Sequence, residues 1–257
     1  MKRLVITGAA GRIGSVLRDG LRDVADELRL VDAVPIEAVD DREDALVADL
    51  TDLDRALAAL LGADAVIHLA GIPAEDTFER LLAANFVATY NVFEAARRQG
   101  VRRVVFASSN HATGMYPVGE RIGPDHPARP DTLYGVSKLF GENLGRLYVD
   151  KHGLEVVCLR IGSFRERPLT WRELWTWLSH RDAIALFRAS VLASSVGFTT
   201  AYGISANSRS WWDDSAARHL GYEPQDDAER FERELREKRD SGPGDTLQGG
   251  PFADPEY

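Results

Sequence analysis

The chain has 257 residues, 44% of them apolar and 28% charged, proportions that exclude a disordered chain or a fibre and allow a sizeable core; at ~150 residues per domain this is one large unit, or one carrying a smaller lobe. Forty acidic residues against 31 Lys and Arg leave a formal net charge of -9, which argues against nucleic acid as a partner. No apolar run approaches the roughly 18 to 20 residues of a membrane span and the N-terminus enters a strand-like segment instead of a signal sequence, so no membrane partner is expected and the cytoplasm is the expected compartment.

Arg3 to Thr7 is short, β-branched and followed at once by glycines, which predicts a buried strand feeding a turn. A helical pattern runs from Arg12 to Arg22. LRLVD (28–32), ALVAD (45–49) and ADAVIHLAG (63–71) predict three further strands, with a helix over DLDRALAALLG (52–62) before the last. A long helix from Thr77 to Gln99, a strand over 101–109, a helix over 132–152 and a strand over 154–161 continue the series. The single cysteine, Cys158, sits in that last apolar run and has no partner for an intrachain disulfide, so it reads as a buried strand residue. Strands alternating with helices predict a mostly parallel sheet covered on both faces, because each parallel connection needs a crossover. The expected fold is α/β, a Rossmann-type doubly wound sheet.

After Ser163 the rhythm changes. Helices are predicted over 171–180 and 182–192, a strand over VGFTTAYGI (196–204) and a charge-rich, solvated helix over 226–240, together a small C-terminal lobe spanning 164–240. Residues 241–257 are rich in Gly and Pro without a period, which predicts an extended or disordered tail. The five tryptophans are expected to pack the lobe onto the sheet domain of residues 1–163.

Gly8, Gly11 and Gly14 form G-x-x-G-x-x-G between the first strand and the first helix, where a tight turn presents backbone N–H groups to a pyrophosphate. Arg12 and Ile13 lie inside the same turn. Asp32, at the end of the second predicted strand, is placed to accept hydrogen bonds from both adenosine ribose hydroxyls, which favours NAD; a 2'-phosphate would meet like charge, with Ala33 where Arg would be wanted. Asp49 and Leu50 are candidates for the adenine side, and Leu69, Ala70 and Gly71 for the loop against the cofactor.

Tyr134 and Lys138 in YGVSK share one helix face at i, i+4. Ammonium beside phenol stabilises the phenolate, and Ser109, at the end of strand VVFASS, is placed to hold a reacting oxygen. Alone, such a Tyr–Lys pair is more often a surface contact. With the glycine turn and the strand-end serine it makes an acid–base site.

TGAAGRIG, SSNH (108–111), YGVSK and Asn85 in NFVATYNVFEAA resemble the extended short-chain dehydrogenase/reductase superfamily, in its NAD-dependent epimerase/dehydratase branch. More narrowly, FASSNHATGMYP, GPDHPARPDTLYGVSKLFGENL, RIGSF, TWLSHRD, SANSRSWWDDS and LQGGPFADP resemble the uronate dehydrogenase family, which oxidises galacturonate and glucuronate with NAD. The resemblance implies Tyr134 as base for the C1 hydroxyl, Lys138 as its tuner and a ribose ligand, and Ser109 as the orienting hydroxyl. Hydride would pass to the nicotinamide, leaving an aldaro-lactone. It also implies Asn85 and Ser108 on the cofactor, Asn110, His111, Ser163 and Arg172 on the sugar acid, Arg172 on its carboxylate, no metal, and a homo-oligomer formed through helices 77–99 and 132–152. Judged alone, Arg172 in WRELW reads as a surface residue and His111 as a structural histidine. Pro73 departs from the family pattern, which has a substrate-touching serine there. The rivals are a nucleotide-sugar epimerase or dehydratase retaining its NAD, disfavoured by the roughly 90 residues after Ser163, and a non-catalytic NAD sensor, which has no need of Ser109, Tyr134 and Lys138 together.

Overall fold

The computed structural model describes residues 1–238, 246–255 and 257. β1 (Arg3–Thr7) lies inside a seven-stranded parallel sheet. β2 (Glu27–Asp32) and β3 (Glu43–Val47) extend it to one side; β4 (Ala65–His68), β5 (Arg103–Ser109), β6 (Glu155–Ile161) and a last strand, Phe198–Gly203, extend it to the other. Successive side chains alternate between the faces. Leu4 and Ile6 therefore enter an apolar layer under α1 (Arg12–Gly20), while Val5 enters the opposite layer with Val92 and Phe93. All of these are fully buried, each contributing roughly 1.5–3 kcal/mol. Because the chain winds outward through β2 and β3 and then returns to β4, a crevice opens at the carboxyl ends of β1 and β4.

The helices carry local stop and start signals. α2 (Leu53–Ala59) is capped by Asp52, whose carboxylate accepts from the N–H groups of Asp54 and Arg55. α5 (Leu133–His152) begins at Thr132, whose hydroxyl accepts from Gly135 N–H, and ends at Gly153 with φ +73°. The predicted helix 77–99 is helical throughout but not uniform: α3 (Phe78–Leu81) and α4 (Ala88–Gln99) are joined by a widened π turn, Leu82–Val87. Such turns are frequent at functional sites, and this one carries Asn85.

Three expectations after Ser163 need correction. Residues 171–180 are not one helix: α6 (Glu173–Thr176) is a single turn, and β8 (Trp177–Leu178) pairs with β7 (Ser163–Phe164). Trp177 is fully buried there and donates its indole N–H to Arg165 O at 2.9 Å. Ser179 then starts α7 (His180–Leu192), its hydroxyl accepting from Asp182 N–H. The strand predicted in the lobe is β9 (Phe198–Gly203), parallel to β6 and part of the main sheet, with α7 as its crossover. Past the short α8 (Ser215–His219), the predicted charged helix breaks into single turns, Ala228–Phe231, α9 (Glu232–Leu235) and Arg236–Lys238, while 239 and 240 lie outside the described residues.

Of the predicted tail, 241–245 and 256 lie outside the described residues. Thr246 to Pro255 docks onto the body: Val118 N–H donates to Thr246 O, Gln248 N–H to Tyr116 O and Gly249 N–H to Gly114 O, at 2.8–2.9 Å. The Gln248 side chain is fully buried, donating to Pro117 O and Glu120 O and accepting from the Trp212 indole. Among the described residues no helix is long and apolar enough to cross a membrane.

Candidate active site

A cleft of about 1590 Å³ runs over the carboxyl ends of β1, β4, β5 and β6. Its first part is the glycine turn. Gly8 has φ +71°, and a Cβ there would lie 2.6 Å from Ala70 N; a Cβ on Gly14 would lie 2.5 Å from Gly8 O. Both contacts are with backbone, so neither can yield. No side chain caps the N-terminus of α1, which leaves its N–H groups open toward the cleft for an anion. Asp32 lines the cleft at the end of β2, with Ala10 N–H donating to one carboxylate oxygen at 2.9 Å. Asp49 is held by the N–H and hydroxyl of Thr51, which keep its carboxyl below the usual range. Arg12, Ile13, Leu50, Leu69, Ala70 and Gly71 also line this half. These features fit a dinucleotide.

Two predicted cofactor residues turn their side chains to protein partners. Asn85 does not line the cleft: its amide accepts from Ile72 N–H at 2.8 Å and donates to Ile72 O and Ser137 Oγ, clamping the Gly71–Ile72 turn to α5. Gly71, at φ +145°, leaves room for that amide. Ser108 lines the cleft, but its hydroxyl donates away from it to Glu142, which is paired with Arg160 in the interior.

The second part is the proton-transfer cluster. Ser109 ends β5 and caps the short turn Asn110–Thr113, which carries Asn110 and His111 into the cleft. Tyr134 and Lys138 project from the first turns of α5, the ammonium 5.5 Å from the phenol ring centroid and 5.2 Å from that of Phe106. Burial pushes the phenol up to about 12, against a hydrogen bond from Ser109 that lowers it, and Asp131 adds to the rise. Burial likewise holds Lys138 down to about 8. In the protein alone, desolvation therefore outweighs the expected lowering of the phenol by the amine.

Burying that amine is destabilising. At ~1.4 kcal/mol per tenfold change in acidity, the fall from 10.5 to about 8 costs roughly 3 kcal/mol wherever the native lysine is charged. Between those values the unfolded chain binds more protons, so stability rises with pH there, and the penalty is complete below about 8. Lys138→Met is therefore expected to raise the urea midpoint at pH 7, by an amount that shrinks above pH 8, while activity is lost. An unchanged or lower midpoint at neutral pH contradicts this.

The third part faces these residues from the segment after β6. Arg172 is half-buried and lines the cleft. Its guanidinium donates to Gln248 O from two nitrogens and to the Asn110 amide oxygen at 3.1 Å, the orientation in which Asn110 also donates to Ile161 O. Those partners are neutral; Asp131 and Glu173 support its charge through space, and burial pulls its pKa down to about 10. Gly250 at φ +63° lets the C-terminal segment cross the Arg172 side chain, which a Cβ would meet at 2.6 Å. Ser163 hydrogen-bonds Thr176 at 2.8 Å, and Pro73, Trp171 and Trp175 complete this end.

Residues 4–164 match the NAD dependent epimerase/dehydratase family. The chain belongs to that family. Among members of the epimerase/dehydratase family, it is 47% identical over 99% of its length to the uronate dehydrogenase of Agrobacterium fabrum, covering 97% of it. A crystal structure of uronate dehydrogenase from Agrobacterium tumefaciens, a tyrosine-to-alanine mutant complexed with NAD, is 45% identical with a TM-score of 0.95, the match covering 100% of this chain and 99% of that one. The glucuronic acid dehydrogenase from Chromohalobacter salexigens is 41% identical at a TM-score of 0.94, covering 98% and 96%.

The structure brings into one cleft every predicted site residue except Asn85. Residue-by-residue reading missed Asp131, Gln248 and Phe252. The adjacent glycines of LQGGPF were the available signal, since Gly250 requires a left-handed φ.

Proposed function

We infer that the protein oxidises a hexuronic acid, galacturonate or glucuronate, at C1 to the aldaro-lactone with NAD as hydride acceptor. One observation carries the substrate class: a partly buried guanidinium that, among the described residues, hydrogen-bonds only to neutral groups and lines the same cleft as the acid–base cluster. A carboxylate is the complement such a group lacks. Full-length similarity to uronate dehydrogenases supports the same reading.

In this reading Gly8, Gly11 and Gly14, with the N–H groups of Arg12 and Ile13, hold the pyrophosphate. Asp32 takes the ribose hydroxyls, and Asp49 and Leu50 border the adenine. Leu69, Ala70, Gly71 and the backbone of Ser108 flank the nicotinamide half. When bound, oxidised NAD supplies the hydride acceptor and a positive charge. Ser109 orients the C1 hydroxyl, Tyr134 takes its proton, and Lys138 holds the phenolate and a ribose hydroxyl. Arg172 grips the carboxylate, with Asn110, His111 and Ser163 along the sugar. Oxidation at a ring hemiacetal carbon yields the lactone without water. Residues 1–163 thus hold the dinucleotide, the proton-transfer groups and Asn110, His111 and Ser163, whereas 164–240 adds Arg172, held by the docked C-terminal segment through Gln248 O.

The test is NADH absorbance with both uronates, the matching neutral sugars and nucleotide sugars. NADH from uronates alone supports the reading; net NADH from none, with NAD retained, points to an epimerase. The proposed compartment is the cytoplasm, which suits a chain whose one cysteine is buried and free. A homo-oligomer is also proposed, because Phe78, Leu82, Val87 and Tyr90 together with Leu133, Val136 and Leu147 expose apolar surface on the helices of one sheet face. Light scattering showing a monomer at micromolar concentration would remove that proposal.

A further inference from the structure

Behind His111 stands a carboxylate whose charge also reaches Tyr134 and Arg172. Asp131, just before α5, has a fully buried side chain. One oxygen meets His111 Nδ1 at 2.7 Å, and the other accepts from Thr132 Oγ1 at 3.1 Å. Two glycines from distant segments make room for it, since a Cβ on Gly114 or Gly249 would overlap the oxygen that meets the imidazole. The imidazole is confined on its other sides as well. Phe252 stacks on it with centroids 4.0 Å apart, and the Tyr134 ring meets it edge-on at 5.9 Å. Its remaining polar atom, Nε2, hydrogen-bonds to no described residue, and the ring lines the cleft beside Tyr134 and Arg172.

We propose that Asp131 is a positioning residue that fixes His111 in the tautomer with its proton on Nδ1, so that Nε2 stands in the cleft as an acceptor for a ring hydroxyl of the sugar acid. A carboxylate only accepts hydrogen bonds, so the nitrogen facing it carries the proton. Burial and the nearby Arg172 favour the neutral imidazole over the pull of Asp131, and a neutral ring with Nδ1–H has a bare Nε2. In a cleft whose other substrate-facing groups include the donors Arg172 and Ser109, this acceptor takes the O–H of a sugar hydroxyl and disfavours a ligand that offers no proton there. The role on the hydroxyl rests on the uronate reading; the tautomer does not.

Asp131→Asn reverses the ring. The Thr132 hydroxyl receives the Gly135 N–H and gives its own proton to residue 131, so an asparagine keeps its carbonyl toward Thr132 and turns its NH2 to Nδ1. The imidazole proton then moves to Nε2, the wrong tautomer for an acceptor. The experiment is 15N NMR of histidine-labelled protein, with the His111 signals assigned by their loss in His111→Gln, combined with kinetics of Asp131→Asn, His111→Gln and the double variant. Expected are a protonated Nδ1 and bare Nε2 in the wild type, the reverse in Asp131→Asn, and about a tenfold fall in uronate kcat/KM with KM for NAD unchanged. In the His111→Gln background, Asp131→Asn should cost less than a further twofold, because the ring it orients is gone. A wild-type ring protonated on Nε2, or multiplicative effects of the two substitutions, overturns the proposal. The wild-type spectrum decides the tautomer even if a variant fails to fold. A wild type that oxidises no uronate refutes the substrate reading separately.

Discussion

Tyr134→Phe is expected to lower kcat for uronate oxidation by about 10²- to 10⁴-fold, the usual contribution of a positioned general base, with NAD affinity within twofold of wild type. The substitution removes one oxygen and leaves the ring, which packs edge-on against His111 and under the Lys138 ammonium. The protein alone holds the phenol near 12, so proton removal becomes easier as pH rises, and wild-type kcat/KM should climb with pH on its acid side. The variant should lose that climb together with its rate. Steady-state NADH production across pH and NAD titration followed by fluorescence check both parts. A variant with near-normal kcat would show that another group accepts the proton.

Arg172→Met is expected to raise KM for uronates by about 100-fold, with KM for NAD unchanged. Truncating one partner of a desolvated charge pair typically costs 2–5 kcal/mol, and this guanidinium is desolvated enough to sit near 10. Gln248 O and Asn110 hold it in place, so the substrate meets a preorganised cation. Methionine keeps much of the stem volume that packs beneath Gly250. Neutral hexoses leave the wild-type guanidinium without a carboxylate, and the variant should therefore narrow the gap between uronate and hexose rates. An equal rise in both KM values would mean that Arg172 supports the whole cleft instead of recognising the carboxylate.

Most of the candidate site was legible because its signals are short-range. Gly8 and Gly14 are needed where a Cβ would strike backbone, and Tyr134 and Lys138 share a helix face by their spacing alone. Asn85 shows the limit of this reading. It stands out by resemblance, yet a π turn swings its amide onto Ile72 and Ser137, away from the cleft. The stretch after Ser163 misled for a related reason: WRELWTWL has helical composition, but Trp177 and Leu178 are taken by a two-residue pairing with Ser163 and Phe164, a tertiary contact that overrides local preference.

The order of strands and helices, the phosphate turn, the ribose carboxylate and the acid–base pair were set by local pattern: apolar period, glycine dihedrals and i, i+4 spacing. Which groups recognise the sugar acid depended on folding. Arg172 meets Gln248 across 76 positions of chain, and His111 meets Asp131 across 20. No periodicity links such residues; only close packing of separate loops on one end of the sheet brings a guanidinium, an imidazole and its buried carboxylate within hydrogen-bond distance of their partners.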